Sequence, residues 1–527
     1  MCGVSTRAVN AHIEEFRRLQ LHSKCFFEGL EILLSAVKLG YPETMLKELY
    51  ENASKLDIAS MTIRDATTLS LAGALLAARK SDLSTASRQL DKCTPYLADL
   101  PLLHKKLIIQ LQSRFLRKKG QDDLASAIDH LAAFIQLWEH NEPHLAADLK
   151  VDLGWLLFKQ NRIRAAKQTL NAAAKELQGR ASARLGDITS AKARIEQRER
   201  LDKAEELCKK SISYYECSPG IHKNRCRAHV NLAKFLWLRA KQLTNNSSRL
   251  IVKLRSLPDA NLSVNEAQRL KRINRKIEEA KEEAGALLKE AFTQIELGIK
   301  YSDPADLLNM ARIRYISSYI QSGMGHPEEA LKASSEVARI GHRTGSILVE
   351  CRGLTQKAEI FLQQMKGVDR KDVKKRRHLA SRADEHANHA IEIGVQDKRV
   401  LTKIWTVKAH AALVLHWNDT APAQQCLARA NSLLERTPGD YVTDNVINLE
   451  GLVHEARLRT NHYEKKVVEL LNKKIPLREL ISAFEQIVVE KLMAECDAKP
   501  TRVATILGIG FRRLKNILNR KGHSDMQ

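Results

Sequence analysis

Along most of this chain, apolar residues recur at intervals of three and four, the spacing that gathers them on one face of an α-helix. The pattern is clearest at 149–174, LKVDLGWLLFKQNRIRAAKQTLNAAA. Leu153, Gly154 and Leu157 predict the inner face of one helix, and Ala166, Leu170 and Ala173 that of the next. Small Gly154 and Ala166 let the two helices approach closely, while Leu157 and Leu170 fill the groove. Alternating runs of Val, Ile, Thr and aromatic residues between turn clusters, the mark of strands, are scarce. Turn formers are sparse too: 23 Gly and 12 Pro in 527 residues, below the usual ~7% and ~5%. The expected fold class is therefore all-α, with long helices and short connections.

The small-large-small phrase recurs as Ala291, Ile295 and Gly298, closed by Asp303-Pro304. It returns as Ala423, Leu427 and Ala430 after a helix carrying Trp405 and Ala411. Weaker copies are Gly325-His326-Pro327 with Ala330, and Ala74 with Ala86 and Leu90. The phrase resembles the tetratricopeptide repeat, an antiparallel helix pair of about 34 residues. The resemblance implies a degenerate, tetratricopeptide-like α-solenoid over 1–462, with irregular periods and few of the family's aromatic positions.

Two segments interrupt the period. Residues 243–262, LTNNSSRLIVKLRSLPDANL, read as a polar, turn-rich insertion, followed by one long helix over 263–300. Ser263 and Glu266 have capping-box spacing at its start, and the alternating charges from Lys271 to Lys289 suit a solvated face. The basic run 365–378, MKGVDRKDVKKRRH, reads as a solvated loop and helix start in preference to a nucleic-acid patch.

The last stretch, 477–522, predicts three helices. Leu477, Leu480, Ile481, Phe484, Ile487, Val488 and Leu492 fall on one face of the first, which ends near Cys496-Asp497. The second runs from Pro500, a residue tolerated at a first helical position, to Leu507, where Gly508 stops it. The third opens near Gly510 and runs to Arg520, with Leu514, Ile517 and Leu518 inward, opposite Val503, Ala504 and Leu507. From Lys499 to Lys521 stand Lys499, Arg502, Arg512, Arg513, Lys515, Arg520 and Lys521, and no acid. An apolar inner face under such an outer face suits a DNA major groove, where phosphates set affinity and base edges set specificity.

The phrase Leu477-Arg478-Glu479, Phe484-Glu485, Ala504-x-x-Leu507-Gly508-Ile509, then Leu514 and Leu518, resembles the Fis-type helix-turn-helix that closes sigma-54-dependent activators of the NtrC class. The resemblance implies a DNA-binding domain at 463–527. It implies DNA contacts from Lys499, Thr501, Arg502, Gly510, Phe511, Arg512, Arg513, Lys515, Asn516 and Arg520, and a homodimer joined through Leu480, Phe484, Ile487 and Val488. Two positions depart from the family: Gly510 stands where Ser or Asn usually caps the recognition helix, and Phe511 where a basic or polar residue is usual. Gly in place of a cap costs only tenths of a kcal/mol, so base readout is affected more than folding. No G-x-x-x-x-G-K-[ST] phosphate loop accompanies the motif, so the ATPase of those activators is not implied.

Lys and Arg number 86 against 62 Asp and Glu, a formal charge of +24. So basic a chain calls for a polyanionic partner. No apolar run approaches the ~20 residues of a membrane span, no signal pattern opens the chain, and nine scattered cysteines fit reduced thiols. The expected location is cytoplasmic and nucleoid-associated. Cys217, His222, Cys226 and His229 offer metal-ligand types, but not the paired spacing of zinc sites; neither metal nor cofactor is expected. Residues 3–19, GVSTRAVNAHIEEFRRL, sound like a recognition helix and are read as a plain first helix. No catalytic constellation stands out, and an enzyme is not expected. The resulting expectation is a sequence-specific regulator on double-stranded DNA whose helical repeats bind a protein or peptide. The alternative is a DNA-bound scaffold of a mobile-element or defence locus.

Overall fold

A computed structural model describes residues 50–519 apart from 52–53, 55–60, 81, 120–121, 180–181, 198, 219–221, 256–263, 305, 370–371, 417–418, 435–440, 473–476, 496–499 and 508. The 3–19 segment lies outside the described residues, which contain helices and turns and no strand. Two compact units divide the chain, Met1–Gly325 and His326–Gln527.

In the first unit the helices are α1 (Ile63–Lys80), α2 (Leu83–Asp91), α3 (Leu102–Lys119), α4 (Asp122–Trp138), α5 (Pro143–Lys159), α6 (Ile163–Leu177), α7 (Ser182–Glu196), α8 (Leu201–Glu216), α9 (His222–Arg255), α10 (Val264–Lys300) and α11 (Leu307–Gly323). Each packs on the next, and α1, α3, α5 and α7 also pack on one another in series. Those next-but-one contacts make a stack of hairpins. Its core follows the sequence phrases: Ala74, Ala86, Leu90, Leu157, Ala166, Leu170, Ala173, Ala291 and Ile295 are all buried. A Cβ on Gly298 would meet Val230 Cγ2 at 3.0 Å, so a small residue is needed at that crossing.

The turn between α5 and α6 needs a left-handed residue. Asn161 supplies it at φ 63°, and the Arg162 amide then reaches back to the Leu157 carbonyl at 2.9 Å. Such a closure satisfies carbonyls that the helix end would otherwise leave bare.

The expected insertion at 243–262 is corrected. Helix α9 continues through it to Arg255. Its polar residues do not break the helix because hydroxyls bond within it: Thr244 Oγ1 donates to the Ala240 carbonyl at 3.0 Å and Ser247 Oγ to that of Leu243 at 2.9 Å. Gly and Pro are absent from this stretch until Pro258. The following helix, Val264–Lys300, matches the long helix expected there.

In the second unit stand α12 (Pro327–Arg343), α13 (Ile347–Gly367), α14 (Val373–Glu392), α15 (Lys398–Leu415), α16 (Ala421–Leu433), α17 (Tyr441–Asn472), α18 (Leu477–Glu495), α19 (Pro500–Leu507) and α20 (Phe511–Asn519). Helices α12 and α13 cross almost backbone to backbone. A Cβ on Gly341 would lie 2.2 Å from the Glu350 nitrogen, and one on Gly353 2.4 Å from the Ala338 nitrogen. Alanines 380, 383, 387 and 390 form the buried stripe of α14, and Ala423 and Ala430 that of α16. The basic run at 365–378 becomes the end of α13 and the start of α14, where the Asp372 carboxylate accepts from the Lys375 amide. Helix α17 runs unbroken across 462/463, where the sequence placed a domain boundary.

Candidate nucleic-acid interface

Helices α18, α19 and α20 share a small core of Val489, Leu492, Val503, Ala504, Leu514 and Ile517, with Val488, Leu507, Ile509 and Leu518 packed against it. The connection between α19 and α20 is tight. The Ile509 amide donates to the Ala504 carbonyl at 3.0 Å, closing α19. The Gly510 carbonyl then accepts from the Arg513 and Leu514 amides at 2.9 and 3.2 Å, which starts α20 at Phe511, one residue later than expected. At 15 residues or fewer a helix is marginal alone. These two, of 8 and 9 residues, are held by the shared core.

Burying Leu514 and Ile517 fixes what α20 presents outward. Arg512, Arg513, Lys515 and Asn516 are exposed, as are Gly510 and Thr501, and Phe511 is 50% exposed. The Arg502 side chain, Lys499 and Arg520 lie outside the described residues. The structure thus brings Phe511, Arg512, Arg513, Lys515 and Asn516 onto one short helix, with Gly510 immediately before it. One of them is engaged: Arg513 Nη2 donates to Glu485 Oε1 on α18 at 2.6 Å. The sequence motif includes Glu485 but did not reveal its pairing with Arg513, because the two stand 28 residues apart.

On α18, the residues expected at a dimer contact are unequally placed. Phe484 is 48% exposed and Ile481 beside it 52%. Leu480 and Val488 are half-buried, and Ile487 is already buried within the chain.

A second concentration of charge lies in the first unit. Arg184 on α7 donates to three carboxylates: Asp148 and Asp152 on α5, at 2.7 and 3.2 Å, and Asp187 on its own helix at 3.0 Å. Lys106 on α3 pairs with Asp148, Gln110 donates to Asp152 at 2.6 Å, and Tyr215 and Asn224 donate to Asp187 at 2.7 and 3.1 Å. Burial pushes the Asp148 carboxyl up, but Arg184 and Lys106 together hold it well below the usual carboxylate range. For Asp187 burial prevails and its carboxyl is raised. Every carboxylate here is bonded across helices, so the cluster joins successive hairpins. Its sequence signal was a spacing: Asp148 and Arg184 are 36 residues apart, close to one repeat.

Of the candidate metal residues, the His222 side chain lies outside the described residues and the other three go separate ways. Cys217 is exposed, Cys226 Sγ accepts from Asn309 Nδ2 at 3.2 Å, and His229 Nδ1 bonds Gln294 Oε1 at 2.7 Å. Among the described residues no three His, Cys, Asp or Glu side chains gather as a metal site would require, and no helix is long and apolar enough to cross a membrane.

No family model and no curated protein sequence matches the chain. Solved structures do. A Rap protein in complex with competence and sporulation factor aligns at 12% identity over 92% of this chain and 100% of its own, with a TM-score of 0.39. The tetratricopeptide domain of P58(IPK) aligns at 14% identity over 81% of this chain and 99% of its own, with a TM-score of 0.22. A circular tandem repeat protein of novel topology aligns at 14% identity over 98% of this chain and 100% of its own, with a TM-score of 0.19. All three superpositions are loose, and nothing about a ligand of this chain follows from them.

Proposed function

We propose that this chain is a sequence-specific DNA-binding regulator of transcription, cytoplasmic and nucleoid-associated. Its α18–α20 element meets double-stranded DNA, and its stacked hairpins hold a protein or peptide partner. The observation that carries the reading is the split character of α20. Its inner side is buried, its outer side presents Arg512, Arg513, Lys515 and Asn516, and the helix itself bears no acid. The resemblance of 477–522 to the Fis-type helix-turn-helix supports the same reading. Arg512 and Lys515 suit phosphate oxygens, Asn516 suits the paired donor and acceptor of an adenine edge, and Phe511 suits a thymine methyl. Two copies joined through the exposed Ile481 and Phe484 face would offer two such helices to successive major grooves, about 34 Å apart.

The test is selection of binding sites from a pool of randomised duplexes by the full chain. The reading expects a recurrent motif, with two half-sites about one helical turn apart, whose base preference changes on Asn516→Ala. A pool that stays random after repeated rounds contradicts sequence-specific binding.

A further inference from the structure

The helix proposed to meet DNA carries one arginine that is held back. Arg513 is anchored at the first turn of α20, its amide bonded to Gly510. From there its guanidinium reaches the Glu485 carboxylate of α18 at 2.6 Å. Arg512 and Lys515 on the same helix are exposed. A carboxylate and a DNA phosphate ask for the same thing of an arginine, two parallel N–H donors in a planar fork. They are therefore competitors for Arg513. Glu485 also sets a negative charge beside the outer face of α20, where an approaching backbone would be repelled.

We propose that Glu485 is a specificity-determining residue, a carboxylate that occupies Arg513 until DNA offers a better acceptor. Duplex of arbitrary sequence then meets α20 with one cation fewer than the sequence supplies. An acceptor such as the O6 and N7 pair of guanine, which also takes a bidentate arginine, releases it. Glu485 thus suppresses indiscriminate phosphate binding, which a chain of charge +24 would otherwise favour. The inference rests on the DNA-binding reading above, and its test separates the two.

The experiment measures binding of the full chain to a short random-sequence duplex over roughly 50–200 mM salt. It compares wild type, Glu485→Gln, Arg513→Ala and the double variant. Releasing Arg513 should tighten binding by Glu485→Gln roughly fivefold at low salt, the amount an exposed ion pair can hold back. It should also steepen the slope of log affinity against log salt by about 0.9, one added phosphate contact. Arg513→Ala should keep the wild-type slope, and the double variant should lose the added slope. Glu485→Ala repeats the readout without the amide, and equal thermal midpoints establish that each variant folds. The proposal is overturned if Glu485→Gln binds as wild type does, or if its gain survives intact without Arg513. If no form binds duplex, the DNA reading falls and this proposal falls with it.

Discussion

Gly154 and Leu170 meet where α5 crosses α6: a Cβ at position 154 would stand 2.6 Å from Leu170 Cγ. Leu170 is fully buried and cannot swing into solvent. Overpacking of this kind costs ~1–3 kcal/mol, which outweighs the ~1 kcal/mol of helix propensity that Gly-to-Ala returns. Gly285, within α10, has open space around its missing Cβ. Gly154→Ala is expected to lower stability, read as the denaturant midpoint, and Gly285→Ala to raise stability by up to ~1 kcal/mol. A gain from Gly154→Ala would refute the close crossing.

Arg184 is expected to be the most sensitive charged residue of the first unit. Its removal leaves Asp148, Asp152 and Asp187 facing one another, part-buried, with Lys106 as the remaining cation of the cluster. Breaking one side of a buried ion network typically costs ~3–5 kcal/mol. Arg184→Met should approach that loss in chemical denaturation, whereas Arg200→Met, at an exposed pair with Asp202, should change stability little. Similar effects of the two would remove the cluster from the stability of the stack.

Two histidines of the second unit contribute to its response to acid. Burial brings His410 down to about 3, with Lys366 adding to the effect. His386 is brought to about 4 by burial and by Lys357 and Arg382, with Glu385 opposing and His389 reinforcing. Both stay neutral when folded and take up a proton near 6.5 when unfolded. The unfolded chain therefore binds more protons below that pH, and stability is lost as pH falls from about 6.5 toward 4. The slope is up to ~1.4 kcal/mol per pH unit for each histidine. His410→Gln should flatten the fall in thermal midpoint between these values. A wild-type midpoint that is constant over that range would contradict the burial of both rings.

Phe484 tests the proposed assembly. Half of its surface is exposed beside Ile481, so Phe484→Glu should turn a dimer into a monomer by light scattering without altering helix content. A strict monomer in the wild type at micromolar concentration would remove the two-fold arrangement.

Much of the helical architecture was legible because its cause is local. Small residues at Gly154, Ala166, Ala291 and Gly298 mark crossings, and leucines between them mark grooves; the pattern is the packing. What escaped had a tertiary cause. The polar stretch 243–255 was read as a break, yet Thr244 and Ser247 satisfy their hydroxyls within α9. The Glu485–Arg513 and Asp148–Arg184 pairs join residues 28 and 36 positions apart; the second spacing is close to one repeat, but a spacing alone does not say which charges will meet. The basic outer face of α20 was legible for the opposite reason: once Leu514 and Ile517 turn inward, helical geometry leaves Arg512, Lys515 and Asn516 nowhere else to point.

The most direct measurement is a titration of duplex DNA with the full chain, wild type and Arg512→Ala/Lys515→Ala, at increasing salt. Wild-type binding is expected to weaken steeply with salt, through release of counterions from the phosphates. The double variant should bind markedly more weakly, with a slope shallower by nearly two contacts, at unchanged helix content. Wild-type binding that is indifferent to salt, or a double variant that binds as tightly as wild type, would contradict the claim that α20 is where this protein meets DNA.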